Sequence, residues 1–155
     1  MPPFYLLLPN IRSSHNVGAM FRTADAFGVT KLFLVGYTPT PPRQDIHKVA
    51  LGAEEWVPWE KRGKLLPLVK RLKQEGCFIA ALEKTETSTT LPMGRGGRPL
   101  ALIVGNEVTG VQKNVLELCD AVWHIPMQGK KESLNVSVAA GIALYALQPD
   151  PASHF

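Results

Sequence analysis

Short runs of apolar residues alternate along the chain with segments in which apolar residues recur every three or four positions. Such runs predict buried strands, and the periodic segments predict amphipathic helices. The strands are predicted over residues 4–8, 31–35, 78–82, 100–104 and 121–125, and the helices over 16–27, 45–53, 65–74, 111–118 and 133–147. Residues 56–59 fit either a short strand or an extended loop. The alternation predicts an α/β fold, a mostly parallel sheet with helices on both faces.

The last predicted helix is unusual because it is apolar nearly all round from residue 136 onward. A helix of this kind is expected to be buried on every side. Its small residues, Ala139, Ala140, Gly141 and Ala143, permit close packing. Such burial fits either the interior of the fold or an interface between two copies, and the pattern does not distinguish them.

Composition narrows the class of protein only moderately. A chain of 155 residues is long enough for one domain with a real core, and 45% hydrophobic with 19% charged residues is ordinary for a globular protein. The net charge of +4 suits an anionic partner without requiring one. Cys77 and Cys119 have no paired spacing, so we expect core thiols in a reducing compartment. With no signal sequence and no membrane-length apolar stretch, a cytoplasmic protein is predicted.

Several common chemistries lack their motif. The chain has no Walker A sequence, no glycine-rich dinucleotide fingerprint after its first strand and no nucleophile elbow. The glycine-rich run at 94–97 precedes a strand, which favours a surface loop. No pair among His15, His47, His124 and His154 has metal-ligand spacing, so no metal is expected.

Three blocks remain, each at the carboxyl end of a predicted strand or on the helix that follows. They are NIRSSHNVGAMFRTADAFG at 10–28, LIVGNEVTG at 102–110 and IPMQGKKESLNVSVAAGIALY at 125–145. Open α/β sheets carry their ligand crevice at this edge. With these blocks in this order, the sequence resembles the SpoU/TrmH-like branch of the SPOUT methyltransferase superfamily over about residues 4–147.

The resemblance implies an α/β fold whose C-terminal part forms a deep trefoil knot, a homodimer, and S-adenosylmethionine as cofactor. It also implies methyl transfer to a ribose 2′-hydroxyl of tRNA or rRNA. A relative that methylates a base and a catalytically silent RNA-binding relative are the alternatives. Ser133-Leu134-Asn135 matches the ribose-methylating pattern, and a dehydrogenase-like enzyme would need the missing glycine fingerprint.

The resemblance also places the cofactor. The knot loops would lie at 82–83, 105–107 and 125–135, with backbone groups holding the adenine and ribose. The cofactor-binding residues carried over are Leu82, Glu83, Val104, Gly105, Asn106, Ile125, Pro126, Met127, Ser133, Leu134, Asn135 and Ala139.

The catalytic residues implied by the resemblance are Arg22, Asn16, Glu107, Ser133 and Asn135. The family position that matches Arg22 is assigned to removal of the hydroxyl proton, but a guanidinium that stays protonated cannot accept one. Three roles for Arg22 therefore remain open: a base, an anchor that stabilises the alkoxide, and a phosphate anchor. Asn16 also fits a helix N-cap, and so does Ser133, which with Asn135 would offer a donor and an acceptor to substrate. Glu107 would orient Arg22 or a ligand group, or be a solvated loop carboxylate.

RNA contacts are less sharply predicted. Lys130 and Lys131 lie in the third block and Arg12 precedes the first helix, so these are the candidates for phosphate binding. Arg43, Arg95 and Arg98 lie on predicted loops and offer further cations, while Lys61 and its basic neighbours indicate a solvated helix face. Many members of the family carry an added RNA-binding domain. Here a single methyltransferase domain over 1–155 is expected. Target selection would then come from the dimer surface or a partner, or the chain would be a minimal enzyme for an exposed tRNA loop.

Overall fold

The computed structural model describes residues 1–149, and these form a parallel sheet with helices on both faces. The strands run in the order β3-β2-β1-β6-β4-β7-β5, and every neighbouring pair is parallel. Their bounds are β1 Phe4–Pro9, β2 Lys31–Val35, β3 Trp59–Arg62, β4 Phe78–Leu82, β5 Thr89–Thr90, β6 Leu100–Val104 and β7 Ala121–His124. The predicted α/β class is confirmed. The knot stays a prediction.

Five α-helices and one 3₁₀ turn accompany the strands within this part of the chain, and the last helix follows the last strand. They are α1 Ser14–Ala26, α2 Gln44–Ala50, α3 Leu65–Gln74, α4 Lys113–Leu116 and α5 Val136–Ala146, with the turn at Ala53–Glu55. None of these helices is long and apolar enough to cross a membrane. Cys77 and Cys119 are both free thiols. His154 lies outside the described residues.

The central strands are buried on both faces, which is why they are continuous apolar runs rather than alternating ones. Leu6 and Leu8 of β1 face one core cluster, which includes residues of α1, α2 and α5. Leu7 faces the other cluster, which includes Ile103 of β6 and residues of α3. Because β1 and β6 pair in register, with Leu7 opposite Ile103, both clusters continue across the middle of the sheet.

Several predicted boundaries were wrong. The helix predicted to reach residue 53 ends at Ala50, because Leu51 takes a left-handed conformation with φ of 53°. Of the two alternatives for residues 56–59, the loop fits residues 56–58, and the strand β3 begins at Trp59. The helix predicted over 111–118 spans four residues, Lys113–Leu116. The short strand β5 had no apolar signal, since Thr89 and Thr90 are both exposed.

The N-cap of α1 is Ser13, and the alternative reading of Asn16 as that cap is wrong. The Ser13 hydroxyl accepts a hydrogen bond from the backbone amide of Asn16 at 3.2 Å. Asn16 therefore lies in the first turn, where its side chain is free for other contacts. Behind it, Gly18 permits close packing of α1 on α2, because a Cβ there would lie 2.7 Å from the carbonyl oxygen of Ile46.

Helix α5 is buried on one side only, so the prediction of burial all round was wrong for a single chain. Ala140, Ala143 and Leu144 are fully buried. The opposite face exposes 50% of Val138, 40% of Ile142 and 65% of Tyr145. The helix packs beside α1 on one face of the sheet, where nothing in the described chain covers its outer side.

Candidate functional site

A cavity of about 390 Å³ lies at the carboxyl edge of the sheet. Its walls come from three segments: the end of β4, the loop that follows β6, and the segment from β7 into α5. We call residues 105–110 the β6 loop and residues 125–134 the β7 loop. The cavity size is within the range of small-molecule sites.

Every residue predicted for cofactor binding except Pro126 lines this cavity. They are Leu82, Glu83, Val104, Gly105, Asn106, Ile125, Met127, Ser133, Leu134, Asn135 and Ala139. The lining also includes residues that the sequence reasoning missed: Lys84, Gly110, His124, Glu132 and Val136. Position alone could have indicated His124, which ends a strand directly before the third block, and Gly110, which closes the second.

The β6 loop is tightly built. Asn106 and Gly110 exchange backbone hydrogen bonds at 3.1 and 3.0 Å, and the Asn106 side-chain oxygen accepts from the amides of Val108 and Thr109 at 2.8 and 2.9 Å. Gly110 has a φ of 69°, and a Cβ there would collide with the Glu83 carboxylate. The backbone angle therefore favours glycine, and a side chain there would also displace the Glu83 carboxylate from the Val111 amide.

Glu107 joins this loop to the start of α1. Its carboxylate accepts hydrogen bonds from the backbone amides of Arg12 at 2.9 Å and Ser13 at 3.1 Å, and from the Asn16 side-chain amide at 3.2 Å. Partial burial alone would raise the pKa of this carboxyl, but these hydrogen bonds, with one from its own amide, outweigh burial and lower the pKa. Glu107 is thus a charged acceptor at neutral pH.

A directed chain of hydrogen bonds continues from Glu107 to α5. The Asn135 side-chain oxygen caps that helix by accepting from the amides of Ser137 and Val138 at 2.9 and 3.3 Å. Its nitrogen is thereby left to donate to the Asn16 oxygen at 3.2 Å, so Asn16 donates from its own nitrogen to Glu107. The predicted catalytic residues Asn16, Glu107 and Asn135 are therefore in one network.

Ser133 and Arg22 lie outside that network. Asn135, not Ser133, is the N-cap of α5, so the predicted capping role of Ser133 was wrong. Ser133 is exposed at the cavity wall. Arg22 is exposed on α1 and does not line the cavity, and its side chain makes no hydrogen bond or ion pair with residues 1–149. The expectation that Glu107 orients Arg22 is not met in a single chain, because the Glu107 side chain contacts Arg12, Ser13 and Asn16 instead.

The predicted RNA-binding cations divide into two groups. Lys130, Lys131 and the side chain of Arg12 are exposed. The loop arginines have contacts within the fold: Arg43 pairs with Asp45, and Arg98 lies 3.6 Å from the centre of the Phe78 ring. Arg95 donates to the Leu147 carbonyl, and burial lowers the pKa of its guanidinium.

A group of potential metal ligands lies away from the cavity. His47 on α2 and Glu54 on the 3₁₀ turn form an ion pair, with Glu55 nearby. A hydrogen bond that the His47 ring donates to the Glu54 carboxylate raises the pKa of His47. This pair ties the turn to α2, which is a sufficient structural role for it.

Comparison with known proteins gives a consistent family assignment. The model of the SpoU rRNA Methylase family matches residues 3–145. A 23S rRNA (guanosine-2′-O-)-methyltransferase RlmB of Nitrosomonas europaea is 38% identical over 93% of this chain and 55% of its own length. RlmB of Escherichia coli is 36% identical over 92% and 58%. The chain thus spans somewhat more than half the length of these curated relatives.

Solved structures agree with this assignment. The TrmH/SpoU tRNA modifying enzyme of A. aeolicus has a TM-score of 0.84 at 32% identity, over 94% of this chain and 74% of that one. An AdoMet-bound rRNA methyltransferase from Sinorhizobium meliloti has a TM-score of 0.86 at 26% identity, over 93% and 55%.

Proposed function

The chain belongs to the SpoU rRNA methylase family, and from this premise we propose that it transfers a methyl group from S-adenosylmethionine to a ribose 2′-hydroxyl of tRNA or rRNA. The observation that carries the proposal is the convergence of the predicted cofactor residues on one cavity beside the Glu107–Asn16–Asn135 network. The names of the RlmB relatives specify the same reaction on 23S rRNA.

The cavity fits the cofactor on chemical grounds. Leu82, Ile125 and Leu134 offer apolar surface for an adenine ring. Within residues 1–149, the β7 loop makes no hydrogen bonds of its own, so its backbone donors and acceptors are available to a ligand. Glu83 and Glu132 add carboxylates to the wall, which suits a positively charged sulfonium compound.

The bound cofactor supplies an electrophilic methyl group, and the residues of the chain position the acceptor. Glu107 is a poor base, because its charge is already stabilised by several donors and its pKa is lowered. We assign it, through Asn16, to holding Asn135 and the start of α5 in place beside the cavity. Asn135 and the exposed hydroxyl of Ser133 then flank the incoming ribose, and positioning of this kind supplies much of the acceleration of a displacement reaction.

Arg22 is proposed to meet the RNA outside the cavity wall, as alkoxide anchor, phosphate anchor or base. The test is transfer of a labelled methyl group from S-adenosylmethionine to bulk RNA. Arg22→Ala is expected to lower transfer at least ~100-fold. It is expected to change the affinity for the cofactor less than about twofold, because Arg22 does not line the cavity and residues outside a binding site contribute little binding energy. Lys70→Ala, an exposed cation on α3, is the matched control. Equal activity in Arg22→Ala contradicts the role.

A second variant distinguishes the three roles of Arg22. A shifted pH–rate profile in Arg22→Lys would support the base. A pH-independent loss would support an anchor, and a loss that appears in the KM for RNA rather than in kcat would identify that anchor with phosphate.

The site of methylation separates this proposal from its alternatives. A 2′-O-methyl group removes the nucleophile of alkaline cleavage, so the labelled product is expected to resist alkali as a dinucleotide. Label released as a modified mononucleotide would indicate a base-methylating enzyme. RNA binding without transfer would indicate a catalytically silent relative.

We further propose a homodimer in the cytoplasm that acts without a metal. Support for the dimer comes from the exposed apolar stripe of Val138, Ile142 and Tyr145 along α5, with Leu134 just before the helix, since uncovered apolar stripes of this kind mark interfaces. Light scattering at micromolar concentration is expected to give twice the monomer mass, and Ile142→Glu is expected to give the monomer. A wild-type monomer would contradict the assignment.

A further inference from the structure

Tyr37 is an exposed aromatic residue held at the edge of the proposed active site. It follows β2 at the carboxyl edge of the sheet, and 61% of its surface is exposed. None of the aromatic contacts within residues 1–149 involves its ring. An isolated exposed tyrosine needs no explanation by itself, so its surroundings decide whether it has a role.

The backbone of Tyr37 is fixed on both sides. Its amide donates to the Asn10 side-chain oxygen at 3.1 Å. The next residue, Thr38, is buried, and its hydroxyl accepts from the Ile11 amide at 2.9 Å and lies 2.7 Å from the Leu8 carbonyl. The preceding residue, Gly36, donates to the Arg62 carbonyl at 2.9 Å. The loop therefore presents Tyr37 from a rigid base.

The side chain of Tyr37 is held by a residue of the cavity wall. Its hydroxyl accepts a hydrogen bond of 3.0 Å from the Asn106 side-chain nitrogen. The side-chain oxygen of Asn106 accepts a hydrogen bond within the β6 loop, and Asn106 itself lines the cofactor cavity. Tyr37 is thus anchored at its hydroxyl end by a wall residue of the cavity while most of its surface remains uncovered.

Exposed cations lie near Tyr37 in the fold. Lys61 donates to the Gly36 carbonyl at 3.0 Å, so its ammonium group is next to Tyr37. The Asn106 nitrogen that contacts Tyr37 also contacts the Asn10 carbonyl, and the exposed Arg12 follows two residues later in the chain. A fixed, exposed aromatic ring with cations nearby suits an unpaired nucleotide, whose base can stack on the ring while its phosphates pair with the cations.

We propose that Tyr37 is the stacking platform for an unpaired base of the RNA substrate, beside the ribose that enters the cavity. The inference rests on the proposed function for the identity of the substrate. Because the ring is already immobilised by Asn106 and Asn10, stacking costs little side-chain entropy. Tyr37 then selects for single-stranded or splayed-out target sites over fully paired RNA, since only an unpaired base exposes its face.

Binding is measured with a short single-stranded RNA that carries 2-aminopurine, whose fluorescence falls on stacking. Tyr37→Leu keeps an apolar side chain without a ring and is expected to raise the Kd roughly 5- to 100-fold and to abolish the fluorescence change. Tyr37→Phe and Tyr37→Trp keep a ring and are expected to stay within about threefold, since the ring face carries the binding. Trp56→Leu removes another exposed aromatic, which does not line the cavity, and serves as the matched control.

Methyl transfer to bulk RNA supplies the second readout. Tyr37→Leu is expected to raise the KM for RNA by a similar factor while the KM for S-adenosylmethionine is unchanged, whereas a merely structural role would move both. Wild-type transfer together with unaltered RNA binding in Tyr37→Leu overturns the inference and leaves the function standing. Tyr37-dependent binding without transfer overturns the function and leaves the platform standing.

Discussion

The β6 and β7 loops line the same cavity but are built in opposite ways. In the β6 loop, Asn106 and Glu107 accept or donate hydrogen bonds that reach the start of α1 and the loop after β2. The β7 loop, within the described chain, makes none, and most of its residues are exposed. One wall of the site is therefore complete before a ligand arrives, and the other has its polar groups free for the ligand.

The largest effect is expected from removing the carboxylate of the β6 loop and comparing the result with removal of a carboxylate from the β7 loop. Glu107→Ala leaves three donors without their acceptor and is expected to lower the free energy of unfolding by about 2 kcal/mol. Loss of the positioned network should also reduce methyl transfer at least ~100-fold. Urea denaturation measures the free energy of unfolding, and the transfer assay measures the loss of activity.

The matched control is Glu132→Ala in the β7 loop, where the carboxylate also lines the cavity but has no partner among residues 1–149. It is expected to change stability by less than about 0.5 kcal/mol. Equal destabilisation by the two substitutions would remove the proposed contrast between the walls.

Cofactor binding should affect the two loops differently. Lys130 and Lys131 are exposed in the β7 loop, and trypsin is expected to cut there first. Saturating S-adenosylmethionine should slow that cut by about tenfold, because a ligand that contacts the β7 loop stabilises its folded conformation by mass action. The time course is followed by mass spectrometry. Cleavage at Lys70, far along the chain on α3, should be unchanged; no protection at 130–131 would mean that the β7 loop does not close on the cofactor.

The start of α5 gives a smaller test. Asn135 caps the helix, so Asn135→Ala is expected to cost about 1 kcal/mol of unfolding free energy. Ser133→Ala, two residues earlier in the β7 loop, should cost less than about 0.3 kcal/mol, as surface substitutions do. Thermal unfolding distinguishes the pair. Equal costs would indicate that Ser133 shares the capping role.

The smallest effect is the pH dependence of Glu107. Because folding lowers the pKa of its carboxyl, its contribution to stability is complete above the unfolded value of about 4.3 and is lost as pH falls through the lowered folded value. The stability difference between wild type and Glu107→Gln should therefore shrink only in that acidic window. A difference that instead changes between pH 6 and 8 would implicate another group.

Sequence patterns predicted most of the fold because its strands are buried on both faces. A continuous apolar run such as 100–104 predicts a strand without any knowledge of its neighbours, and β6 occupies those residues. Strand β5 could not be found in this way, since Thr89 and Thr90 are exposed at the edge of the sheet and, within residues 1–149, pair only with β7. The outer face of α5 was misread because composition does not say how many sides of a helix have a neighbour.

The candidate site was predictable to the level of residues but not of partners. The resemblance brought Asn16, Glu107 and Asn135 into one site, and the structure places them in one hydrogen-bond network. The resemblance did not indicate that Glu107 accepts hydrogen bonds from the backbone amides of Arg12 and Ser13 and does not contact Arg22. Tyr37 carried no motif, and only its contact with Asn106 brings it to the cavity.

The sequence by itself determined which segments form the sheet core and which polar residues lie at its carboxyl edge, because apolar periodicity and chain order decide both. The tertiary structure decided what each polar group does. Ser13 rather than Asn16 caps α1, and Asn135 rather than Ser133 caps α5, because backbone angles at the helix starts select the cap. Asn16 and Asn135 then meet across 119 positions of chain, a separation over which no local pattern specifies a hydrogen bond.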